Sequence, residues 1–131
     1  MKQEKGTALV ILGIGTDIVS VERMRPLLDD AAFPADTYTE AERMLIASRP
    51  DPLYAFAARY AGKSAVRKAL RAPEALSLRE IEILEDENGA PAVTLPGAAA
   101  EWAEKRGAQR VELSLSYEET AAVAVAAAFS Y

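Results

Sequence analysis

The stretch Arg59–Arg71, "RYAGKSAVRKALR", places a cation at every fourth residue: Arg59, Lys63, Arg67 and Arg71, with Lys68 beside them. On an α-helix, residues four apart stack on one side. The four cations would therefore form a ridge about three turns long. The stretch is the second half of a longer helical pattern. Asp51-Pro52 supplies a cap and a proline at the first helical position. Leu53, Phe56, Ala57, Tyr60 and Ala61 give an apolar face at helical spacing. Pro73 stops the run just after Arg71. These signals predict one long helix over 52–71, against which the remainder must pack.

Outward from this helix the chain alternates strands and short helices. "ALVILGIGTDIVSV", Ala8–Val21, is a continuous apolar run rich in β-branched residues, which predicts a buried strand. Gly13 and Gly15 within it predict a close backbone approach or a bulge. Asp17 is the first charge after the run. "SVERMRPLLDD" predicts a short helix capped by Ser20 and ended, kinked or restarted at Pro26. Thr39 and Glu42 in "TEAERMLIAS" make a capping box for a short helix reaching about Ser48. In "SLREIEILEDENGAPAVTL", Ile81 and Ile83 alternate with Glu80 and Glu82, and Asn88-Gly89 signals a hairpin turn of about two residues. "GAAAEWAEKRG" predicts a helix closed by Gly107. Val111, Leu113 and Leu115 then alternate with Glu112, Ser114 and Ser116, and an apolar run follows Thr120, which predicts a second hairpin. Strands paired mainly as hairpins, with helices between them, imply a single α+β domain over 1–131.

Half of the 131 residues are hydrophobic, and the net charge is −5. The absence of cysteine excludes a disulfide framework and thiolate chemistry, and points to the cytoplasm. The absence of histidine removes the commonest general base and a common zinc ligand. The start "MKQEKGTALVILGIG" carries Lys2 and Lys5, but its apolar run is too brief and too glycine-broken for a signal peptide or a membrane span.

Two readings of the cationic ridge stand side by side. One is a solvated face, its repulsion relieved by neighbours such as Asp51 or the glutamates. The other is a site for phosphates or for an acidic partner. Nucleic acid does not suit that role, because the acidic remainder would repel it. Asp17 likewise reads either as a loop carboxylate or as part of a site. A carboxylate beside a cation ridge suits a metal-bridged pyrophosphate, since magnesium takes one or two carboxylates plus phosphate oxygens.

Three blocks, in order, resemble the holo-acyl-carrier-protein synthase family, the small 4′-phosphopantetheinyl transferases. "ILGIGTDIVSVERM" is similar to that family's opening G-I-G-x-D-I-x-x-x-x-R-I, and "FAARYAGKSAVRKAL" to F-x-x-R-F-A-A-K-E-A-x-x-K-A. "LREIEILEDENGAPAVTL" followed by "VELSLSYEETAAVAVA" is similar to the I-E-I-x-x-x-x-x-G-K-P hairpin and the S-I-S-H-x-x-x-x-A-A-A-x-V ending. The resemblance implies an antiparallel sheet packed against one long and several short helices. It implies transfer of phosphopantetheine from coenzyme A to a serine of an acyl carrier protein, in fatty-acid or polyketide biosynthesis. By position it implies Asp17 as metal ligand, with Asp17, Lys63 and Lys68 catalytic. Arg59, Lys63, Ser64, Lys68 and Tyr117 would line the coenzyme A site. It further implies magnesium, a homotrimer sharing its site across subunits, and an acidic carrier docked through arginines such as Arg23 and Arg25.

Three departures fall on the chemistry. Ser64 stands where the family's second magnesium carboxylate is expected, which weakens the metal site. Tyr117 stands for a histidine, and tyrosine is a poor base near neutrality. "RAPEAL" replaces a glycine-rich turn whose backbone donors would meet phosphate. Ser64 also reads as a small packing residue, and Tyr117 as a core aromatic on the face of Val111, Leu113 and Leu115. A second function therefore stays open: a paralogue that binds a carrier or its tethered intermediate without transfer.

Overall fold

The computed structural model describes residues 8–131. The reading of Lys2 and Lys5 lies outside the described residues. Strand β1 (Val10–Ser20) leads into helix α1 (Val21–Asp29), followed by α2 (Ala32–Thr37), α3 (Glu40–Ala47) and the long α4 (Pro52–Ala69). A 3-10 turn (Leu78–Glu80) precedes β2 (Glu82–Glu85) and β3 (Pro91–Thr94); α5 (Gly97–Arg106), β4 (Arg110–Tyr117) and β5 (Ala121–Ser130) complete the chain. Strands β1, β5 and β4 form one antiparallel sheet in that order, and β2 and β3 form a separate hairpin.

Helix α4 lies on the inner face of the larger sheet, and small residues set how close it comes. A Cβ on Gly13 would stand 2.1 Å from the Ala69 carbonyl oxygen, and one on Gly15 would stand 2.0 Å from that of Ala65. Only glycine permits that approach. The bulge expected in the same stretch is also present, as a register shift between Ile11 and Gly13. Ala61, Ala65 and Ala69 share one buried cluster with Ala124, Ala126 and Ala128 of β5. The central seam between helix and sheet is thus built almost wholly from methyl groups. A second cluster joins Val21 and Met24 of α1 to Ala57, Ala58 and Ala122.

The outer face of the sheet is different. Ile14 and Ile18 of β1 and Val123 and Val125 of β5 are exposed there, and the register pairs Ile18 with Val123. They form an apolar patch on the side opposite α4. No helix among the described residues is long and apolar enough to cross a membrane.

Local signals held in most places. Thr39 and Glu42 make both bonds of the capping box, and Gly107 ends α5 at φ 78°. Five details differ. Strand β1 is not a buried strand: Val10, Ile11, Ile14 and Ile18 are exposed, because α4 covers only its other face. Ser20 and Asp51 stand at helix starts without a side-chain cap bond, and α1 runs through Pro26 to Asp29. Helix α2 was not expected; Asp30 Oδ1 accepts from the Ala32 amide at its start. Asn88-Gly89 sits in a longer loop, residues 86–90, in which Asp86 Oδ1 accepts from the amides of Asn88 and Ala90.

Candidate functional site

Residues 13, 15 and 17 of β1 alternate toward α4. Gly15 lies against Ala65 and Lys68, its would-be Cβ 2.8 Å from Lys68 Cβ. One alternation further, Asp17 meets the end of that lysine: Lys68 Nζ is 3.7 Å from Asp17 Oδ1 and donates to the Thr16 carbonyl at 2.9 Å. Asp17 Oδ1 also accepts from the Ile18 amide at 3.0 Å. The Lys68 side chain is 54% exposed. A carboxylate and an ammonium thus stand together at an open surface, fixed by the two glycines beneath them.

Lys63 is a correction to the expected ridge. Its side chain is 0% exposed and turns into the interior, where Nζ meets Glu42 Oε1 at 2.7 Å and donates to the Leu78 and Ile81 carbonyls. Glu42 is itself fully buried; its other oxygen accepts from the Ile83 amide at 2.7 Å, and Oε1 also accepts from the Thr39 amide. Burial pulls the Lys63 ammonium below the usual lysine range, and the Glu42 carboxylate opposes that shift. Three protein oxygens therefore surround the Lys63 ammonium in this chain. Arg67 donates to the Glu74 and Leu76 carbonyls and pins the following loop. Arg71 lies beyond the helix at φ 53°. It occupies the left-handed position of a Schellman turn, with its amide on the Lys68 carbonyl and that of Ala72 on the Arg67 carbonyl. The even ridge therefore does not exist as one surface.

Arg59 and Tyr117 do come together, in a pocket of about 390 Å³ with Arg49, Asp51 and Glu85. Arg59 is buried; Nε donates to the Ile83 carbonyl at 3.2 Å, and Nη2 is 3.6 Å from Glu85 Oε2. Burial lowers the Arg59 pKa, an effect the Glu85 charge opposes. Arg49 bonds the same Glu85 oxygen. Tyr117 is 60% exposed, not a core aromatic, because β4 has passed the hydrophobic core by its last residue. Its ring lies 5.4 Å from that of Tyr54. Arg49 and Glu85 were missed in the sequence. The one available signal was Arg49 directly before the helix-starting Pro50-Asp51-Pro52.

Ser64 is buried on α4, one turn before Lys68 on the same side. It brings no charge to Asp17. Among the described residues, no three Asp, Glu, His or Cys side chains cluster as a closed metal cage requires. Asp17 is the carboxylate that stands at Lys68.

The family model described as the 4′-phosphopantetheinyl transferase superfamily matches residues 13–126. This chain belongs to the 4′-phosphopantetheinyl transferase superfamily. It is similar to a holo-[acyl-carrier-protein] synthase of Salinispora arenicola (strain CNS-205), with 43% identity over 110 residues, 83% of this chain and 90% of the relative. Among solved structures it is similar to the holo-[acyl-carrier-protein] synthase of Neisseria meningitidis, at 36% identity and a TM-score of 0.84, covering 91% of this chain and 98% of that one. A holo-(acyl-carrier-protein) synthase from Bacillus anthracis, solved in complex with CoA (3′,5′-ADP), matches at 28% identity and a TM-score of 0.77, covering 95% of this chain and 100% of that one. The α+β phosphopantetheinyl-transferase-like architecture expected from the sequence is the one observed. Against the superfamily pattern that the sequence resembles, Ser64, Tyr117 and the stretch "RAPEAL", residues 71–76, remain the departures. The first leaves an uncharged side chain one turn before Lys68 on α4. The second sets an aromatic ring at the rim of the arginine pocket. The third begins with Arg71 at φ 53°, where a glycine-rich turn is expected.

Proposed function

We propose that the protein transfers 4′-phosphopantetheine from coenzyme A to a serine hydroxyl of an acyl carrier protein and releases adenosine 3′,5′-bisphosphate. The observation that carries this reading is the Asp17–Lys68 pair, a half-buried carboxylate and an exposed ammonium 3.7 Å apart where β1 meets α4. Superfamily membership supplies the reaction class.

The serine oxygen forms a bond to the β-phosphorus while the bond from that phosphorus to the bisphosphate oxygen breaks. The serine proton is lost to water, since the chain has no histidine to take it. Lys68 offers an exposed ammonium to the negative charge that moves onto the leaving group, which favours the transition state over the bound substrate. Asp17 is the residue that would hold magnesium. When bound, magnesium neutralises the diphosphate and polarises its phosphorus. One carboxylate is the lower limit for such an ion, so the site fits magnesium weakly. The Arg49–Arg59 pocket suits another phosphate of the same substrate, with the Tyr117 ring as an adjoining apolar wall.

The enzyme acts as a homotrimer in the cytoplasm, with its site completed across a subunit boundary. Support for assembly comes from the exposed Ile14, Ile18, Val123 and Val125 patch, which a lone chain would leave in water. Arg23 and Arg25 are exposed on α1, immediately after the Asp17 strand, and suit an acidic carrier. Arg25 is paired with Glu22 at 3.1 Å, so the carrier would compete with that contact.

The test incubates an apo carrier protein with coenzyme A and magnesium. A mass gain of one phosphopantetheine arm, lost in Asp17→Asn and Lys68→Ala, supports the reading. No gain with carrier binding retained would overturn it in favour of the non-transferring paralogue.

A further inference from the structure

The pocket proposed for a coenzyme A phosphate already contains an anion. Glu85, the last residue of β2, sends its carboxylate between Arg49 and Arg59, bonding Arg49 and standing 3.6 Å from Arg59 Nη2. One carboxylate bridging two guanidinium groups is the arrangement a phosphate oxygen would make there. Arg59 cannot leave, being buried and tied to the Ile83 carbonyl. Glu85 can leave, because its side chain is 29% exposed and sits at the mouth beside the 86–90 loop. The charges lining the pocket cancel: Arg49 and Arg59 against Asp51 and Glu85. As it stands, the pocket does not attract a polyanion. With Glu85 turned to water, one net positive charge remains.

We propose that Glu85 is an affinity-setting residue, an internal carboxylate that an incoming phosphate must displace from the Arg49–Arg59 fork. The proposal rests on the reading of this pocket as part of the coenzyme A site. Glu85 weakens binding of coenzyme A and of the bisphosphate product alike, and so favours product release. A purely scaffolding Glu85 would do the opposite, since its removal would loosen Arg49 and reduce affinity. The sign of the effect separates the two roles.

The experiment is calorimetric titration of adenosine 3′,5′-bisphosphate into the full-length protein, comparing wild type with Glu85→Gln, Glu85→Ala and Arg49→Gln. We expect both Glu85 variants to bind about tenfold more tightly and Arg49→Gln about tenfold more weakly. Two Glu85 variants guard against a local folding defect in either. Unchanged or weaker binding by both, with Arg49→Gln still impaired, would overturn the role of Glu85 and leave the pocket assignment standing. Binding unaffected by all three substitutions would place the ligand elsewhere and overturn both.

Discussion

Glu42 and Lys63 meet as a fully buried ion pair, Oε1 to Nζ 2.7 Å, joining α3 to the middle of α4. The pair ties three segments together, because Glu42 also holds the Ile83 amide of β2. Removing one partner strands the other charge in the interior. Glu42→Gln and Lys63→Met are each expected to cost about 3–5 kcal/mol, while the double variant recovers much of the loss. Urea denaturation of the four proteins checks this through the coupling between the two sites.

Gly15→Ala would drive a methyl group into the Ala65 carbonyl oxygen, 2.0 Å away. The backbone of β1 must then move off α4, at a cost of about 1–3 kcal/mol or more. The same movement separates Asp17 from Lys68. Transferase activity should therefore fall further than stability alone explains, as an activity assay on the folded fraction would reveal.

Arg71→Gly should stabilise the protein. Arg71 occupies φ 53°, where its Cβ crowds the following carbonyl. Relief of about 1–2 kcal/mol, less the larger unfolded-state freedom of glycine, leaves a gain of about 0.5–1 kcal/mol. A higher denaturation midpoint with unchanged slope is the expected readout.

The acid limb of the stability curve should carry a contribution from Glu85. The Arg49 hydrogen bond comes first among the causes that hold its carboxyl below the usual range, with the charges of Arg49 and Arg59 adding to it. A depressed folded-state pKa gives stability that is present above the unfolded value, about pH 4, and lost as pH falls through the folded one. Wild type and Glu85→Gln should differ at neutral pH and converge in strong acid. Denaturation midpoints measured across that range decide it.

Ile18→Lys puts a charge in the centre of the apolar outer face, beside Val123. If that face is the subunit contact, the variant should sediment as a monomer while keeping the wild-type circular dichroism spectrum. A trimer that survives the substitution would remove the face from the assembly.

Helix starts and stops were readable because their causes are local. Pro52 at a first turn, the Thr39–Glu42 box and Gly107 each act within a few residues. Helix α2 escaped because its six residues include Pro34 and carry no apolar period. The i, i+4 spacing of the cations was real, yet spacing says nothing about which side of a helix faces inward. That is decided by Glu42 and Glu85, distant in sequence from Lys63 and Arg59. Alternation likewise assigned Tyr117 to the inner face of β4, but it could not tell that the core ends before that residue. Asp17 and Lys68 were found by resemblance; their meeting depends on two glycines whose role is visible only with α4 in place.

The alanine seam between α4 and β5 leaves the scaffold almost no slack. Ala61, Ala65, Ala69, Ala124, Ala126 and Ala128 are all buried, and each is already as small as a side chain can be without becoming glycine. Growth at any of them would wedge strand from helix. Change is easier at the rims, where Glu85 and Tyr117 can be replaced without prising the two layers apart. The interior preserves the shape, and the borders are free to retune what that shape accepts.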